Sequence, residues 1–91
     1  MNDDTGSMDF DELVEALRTI DGLRDKGKRH PNFHYRSRPF LHFHSGEQGT
    51  YADVRWDAEF EPVPASTPAE RSELLERVRA HVAAASGQSP S

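Results

Sequence analysis

The sequence predicts an α+β domain: a helix, three or four antiparallel strands and a second helix, folded as a two-layer sandwich with both helices on one sheet face. Three observations carry this. Apolar residues recur at helical spacing near each end, their period drops to two in the middle, and glycine or proline signals separate the segments. The 91 residues suffice for one domain, expected over residues 9–85 between disordered tails at 1–8 and 86–91. Leu, Ile, Val and Phe together number 17, and all lie between Phe10 and Val82. The body therefore has core-forming residues and the ends do not.

The first helix is expected from about Asp9 to Leu23, with fraying as far as Asp25. Asp9 suits the N-cap, Glu12 completes a capping box, and both acids of the first turn favour the positive end of the helix dipole. Phe10, Leu13, Val14, Leu17 and Ile20 form its apolar stripe. The last helix opens on Thr67-Pro68-Ala69-Glu70, which combines a capping hydroxyl, proline at the first helical position and glutamate at the third. Leu74, Leu75, Val78 and Val82 are its buried stripe, Glu73 and Arg77 an i,i+4 pair, and Gly87 its terminator.

Between them, Arg38 to His44 alternates so that Leu41 and Phe43 face one way and Phe40, His42 and His44 the other. Ser45 to Gly49 is a hairpin loop. Thr50 to Trp56 then places Ala52, Val54 and Trp56 on the core face and Tyr51, Asp53 and Arg55 opposite. Two weaker strands flank these, Phe33 to Arg36 and Glu59 to Val63; Pro62 confines the latter to an edge.

Composition excludes several classes of function. With no cysteine there is no disulfide scaffold, thiol catalysis or thiolate zinc site. No apolar run approaches 18 residues, so no transmembrane helix is expected, and no charged-then-apolar start resembles a signal peptide. A cytoplasmic location is the resulting expectation. The net charge of −5 is uneven: −6 over residues 1–21, +5 over 24–38, −4 over 47–61 and balanced over 70–79. An acidic chain neutralises few phosphates, which argues against nucleic acid as a partner. Phe33, Tyr35, Phe40 and Phe43 interleave with Arg29, Arg36 and Arg38 as a single-strand-binding sheet would require, but the charge balance opposes that use.

The informative surface is the sheet face away from the helices, carrying Phe40, His42, His44, Tyr51, Asp53 and Arg55. Two imidazoles two residues apart on a strand point the same way, and Asp53 from the paired strand completes a 2-His-1-carboxylate set for zinc or iron. His30 or His34 could add a fourth ligand. Strand alternation alone also yields such a polar face, with these residues as solvated cross-strand pairs. Both readings stay open. Phe40 and Tyr51 beside an exposed edge strand could also seed a homodimer, so the expected state is monomer or homodimer.

From Phe33-His34-Tyr35-Arg36 through Pro39-Phe40-Leu41-His42-Phe43-His44 to Tyr51-Ala52-Asp53-Val54-Arg55, the chain resembles small bacterial proteins of the "luciferase-domain" group. The likeness covers residues 33–55. It implies an α+β fold, no demonstrated light-emitting chemistry and no transferable functional residue. The expected function is that of a non-catalytic module without a cofactor, binding a partner protein or small ligand through Phe40, His42, His44, Tyr51, Asp53 and Arg55. The alternative is a metal-dependent site of His42, His44 and Asp53.

Overall fold

The computed structural model describes residues 8–47 and 49–85. Helix α1 (Phe10–Arg18) is followed by strands β1 (Leu23–Asp25), β2 (Asn32–Tyr35), β3 (Arg38–Gly46), β4 (Gly49–Arg55) and β5 (Phe60–Pro64), then helix α2 (Pro68–Ala85). The strands form one antiparallel sheet in sequence order, β1-β2-β3-β4-β5. The α+β class is as expected, with five strands rather than three or four.

The additional strand comes from the end of the anticipated first helix. Thr19 donates its amide to Ala16 O and closes α1 at Arg18, well short of Leu23. Gly22, at φ 95°, turns the chain so that Leu23 pairs with Tyr35. The capping box is formed: Asp9 accepts from the Glu12 amide, and the Glu12 carboxylate accepts from the Asp9 amide. At α2, Thr67 Oγ1 accepts from the Glu70 amide, and Glu70 Oε1 accepts from the amides of Thr67 and Ser66. The two tails, apart from Met8, and the Gly87 terminator lie outside the described residues. Met8 belongs to the folded body, packed against the core with its carbonyl accepting from Arg71 Nε.

One cluster of buried side chains joins every layer: Leu13 and Leu17 from α1, Leu74 and Val78 from α2, and Phe33, Leu41 and Val54 from the strands, all fully buried. Where the helices meet sheet aromatics, Phe10 packs edge-on against Phe43, and His81 stacks on Phe40 and meets Trp56 edge-on. Arg77 lies over the Trp56 ring and pairs with Glu61, so the expected Glu73 partnership gives way to a bridge to β5.

Phe40 is the main correction. Phe33 pairs with Leu41 while His34 pairs with Pro39, which leaves Phe40 as the extra residue of a bulge. The bulge puts Phe40 and Leu41 on the same side, so Phe40 is 3% exposed instead of facing solvent with His42. Phe33 is buried too, and Tyr35 and Phe43 pack against the core, so these aromatics do not form the exposed stacking platform that their interleaving with arginine suggested.

A carboxylate holds the β1–β2 connection together. Asp25 Oδ1 accepts from the amides of Gly27 and Asn32, and Oδ2 accepts from the Arg18 guanidinium. Burial pushes the Asp25 carboxyl up, but the Asn32 and Gly27 amides and Arg18 outweigh it, leaving its pKa below the ordinary aspartate value. A depressed pKa adds stability that is present above the unfolded value and lost as pH falls through the folded one. Asp25→Asn should therefore cost about 1 kcal/mol at pH 7, and urea midpoints of variant and parent should converge as pH drops below 3.8.

The β2–β3 hairpin is closed by Arg36 at φ 56° and Ser37 at φ 69°. Two positive-φ residues match the twist of the flanking strands, but such a turn favours Asn-Gly. Each L-residue there costs about 1 kcal/mol. Replacing Ser37 with glycine should raise the unfolding free energy by up to about 1 kcal/mol in urea titrations, since glycine takes φ > 0 without a Cβ clash.

Candidate metal centre

The β3–β4 register aligns the functional side chains. His42 lies directly opposite Asp53, and His44 opposite Tyr51. Leu41, Phe43, Ala52 and Val54 take the core side, so the alternating positions project from the other face. The β3–β4 turn holds this register. Gly49, at φ 114°, sits where any Cβ would collide with the Ser66 hydroxyl, which donates to Thr50 O and accepts from the Thr50 amide.

His44 Nε2 is 3.2 Å from Asp53 Oδ2, and His42 Nε2 is 3.6 Å from the same oxygen. One donor atom from each of the three residues falls within 4.8 Å of the others. Metal–ligand bonds of 2.0–2.2 Å require donor atoms about 3.0–3.4 Å apart, so two of the three edges are already near coordination length. The two imidazoles meet edge to face at 4.6 Å between centroids, and the third edge stays within 4.8 Å.

Aromatic neighbours brace the rings. Tyr51 stacks on His44 with 25° between planes, and Phe60 meets His42 edge-on at 5.2 Å. Arg55, paired with Phe60 across β4 and β5, places its guanidinium over the Phe60 ring. Of the six residues expected on this face, His42, His44, Tyr51, Asp53 and Arg55 are assembled there, and Phe40 is not. Phe60 occupies the apolar role expected of Phe40; at 41% exposure it is the exposed large hydrophobic residue among those described. The alternation Phe60-Pro62-Pro64 against inward Val63 was the available signal for it.

His30 and His34 do not join the cluster. His30 lines a cleft with Phe10, Phe43 and His44 but offers no donor atom to the three-residue group, and His34 lies beside Arg24 at another cleft. The set is therefore two imidazoles and one carboxylate on an open surface, with coordination positions left for water or a further donor. Reaction chemistry generally needs a site that excludes water. The Asp53 side chain here is 26% exposed and that of His42 32%.

No protein-family model matches the chain, and no curated protein or solved structure does so. None of these comparisons bears on the likeness of residues 33–55 to the luciferase-domain group. Among the described residues, no helix is long and apolar enough to cross a membrane.

Ion pairs this exposed contribute little to folding. Asp53→Asn should shift the unfolding free energy by less than about 1 kcal/mol in chemical denaturation. A larger loss would identify the cluster as a structural brace.

Proposed function

We propose that this protein is a small non-catalytic binding module that holds a divalent ion of the zinc or iron class with His42 Nε2, His44 Nε2 and an Asp53 oxygen. This takes the sheet as covered by both helices on the face of Leu41 and Val54, and the metal set as lying on the other. The observation that carries the reading is the approach of both imidazole nitrogens to a single carboxylate oxygen, at 3.6 and 3.2 Å. Nitrogen and oxygen donors of this kind suit zinc and ferrous iron, and the absence of cysteine makes a thiolate site impossible. Both imidazoles must be unprotonated at the coordinating nitrogen for metal to bind.

A second reading is favoured by Phe60. Its exposed ring, with Tyr51 and Arg55 near it, gives the same face an apolar anchor flanked by a charge, the composition of a protein-recognition patch. The two readings part on a direct titration. Zinc added stepwise to metal-stripped, isotope-labelled protein should give saturable amide shifts centred on His42, His44 and Asp53. His42→Ala with His44→Ala should abolish them while leaving a dispersed, folded spectrum. A folded wild-type protein whose spectrum ignores zinc and ferrous iron would overturn the metal reading and leave the recognition surface.

A further inference from the structure

The basic segment 24–38 takes no part in the metal cluster, and three of its cations, Arg24, Lys26 and Arg36, meet at the β1 side of the sheet. Arg24, on β1, lies directly across from His34 on β2. With Lys26, Arg36 and Ser37 they line a cleft of about 750 Å³ at the β1 edge, beside the last turn of α2. That volume falls in the range of small-molecule sites. We propose that this cleft binds the phosphoryl group of a small phosphorylated molecule.

The charge on Arg24 and Lys26 is not spent on an internal ion pair with any described residue. Asp25, the acid between Arg24 and Lys26, projects to the other side of β1, where Arg18 and two backbone amides occupy its oxygens. Among the described residues, Arg24 and Lys26 make no ion pair, and Asp21 is the acid at the cleft. Arg36 is preset: its guanidinium donates to Ala85 O and lies over the Tyr35 ring, 5.2 Å from the centroid. That contact uses one nitrogen and leaves other N–H groups to donate. Two arginines, a lysine, an imidazole and the Ser37 hydroxyl thus line one cleft at the sheet edge, the kinds of donor that phosphoryl oxygens take in charge-assisted hydrogen bonds. The turn that delivers Arg36 and Ser37 does so with both at positive φ, where Asn-Gly would sit without strain. A polyanion is the poorer occupant, because a chain of net charge −5 repels it beyond the cleft.

Inorganic pyrophosphate is the probe, titrated into isotope-labelled protein at constant ionic strength. The expected result is saturable amide shifts at Arg24–Lys26, His34–Ser37 and Val82–Ala83, with His42, His44 and Asp53 unmoved. Arg24→Ala combined with Lys26→Ala, both exposed, should weaken the apparent affinity at least tenfold in a protein that still gives a folded spectrum. Arg36→Lys should also weaken it, because a lysine cannot reproduce the forked donor. Non-saturating shifts, or equal affinity in the double variant, would overturn the proposal. Sedimentation with phosphatidylglycerol vesicles, without saturable pyrophosphate binding, would reassign the cleft to a lipid headgroup and overturn the small-molecule source. Because the shifted amides differ from those of the zinc titration, failure of one site leaves the other standing.

Discussion

The fold turns on a one-residue slip between β2 and β3. Strict alternation through Pro39-Phe40-Leu41-His42 would put Phe40 outside with the histidines and leave the core short of a large aromatic. The bulge at Phe33/His34 lets Phe40 and Leu41 point inward in succession, so the core keeps both and His42 still faces out. For a chain this small, one phenylalanine is a sizeable share of its apolar burial. Phe40 also receives His81 of α2 and Trp56, which directly follows β4, so the irregularity ties the second helix to the sheet.

Much of this was legible from residues alone. The helix starts followed from capping chemistry at Asp9 and Thr67, because those signals are local and a side chain meets an amide three positions away. The inward and outward sets of the central hairpin followed from alternation, and five of six expected surface residues lie where that pattern put them. What failed depended on partners distant in sequence. Leu23-Arg24-Asp25 reads as a helix end until β2 is there to pair with it. Arg77 reads as a partner for Glu73 until Trp56 and Glu61 arrive beneath it. A bulge is invisible to a period-two pattern, since it is a break in that period.

The polar face and the hydrophobic core are products of the same alternation, so a cluster on that face is not by itself a sign of function. What distinguishes this one is direction. Cross-strand neighbours commonly pair one to one, whereas here two imidazoles turn toward a single oxygen, with Tyr51 and Phe60 against their outer sides. The second charged region has a different origin. It comes from a run of cations close in sequence, brought to one end of the sheet by the short β1–β2 pairing.

The two prolines of β5 have a further consequence. Ala65 donates its amide to Thr50 O, so odd-numbered residues of this stretch direct their N–H toward β4 and even-numbered ones direct theirs away from the sheet. Pro62 and Pro64 stand at two of those outward positions, where they delete the donors an incoming strand would need. The sheet is thus blunted along one border and only three residues long at the other. Addition of a strand at the β5 border is opposed by covalent structure rather than by charge, whatever the salt or concentration.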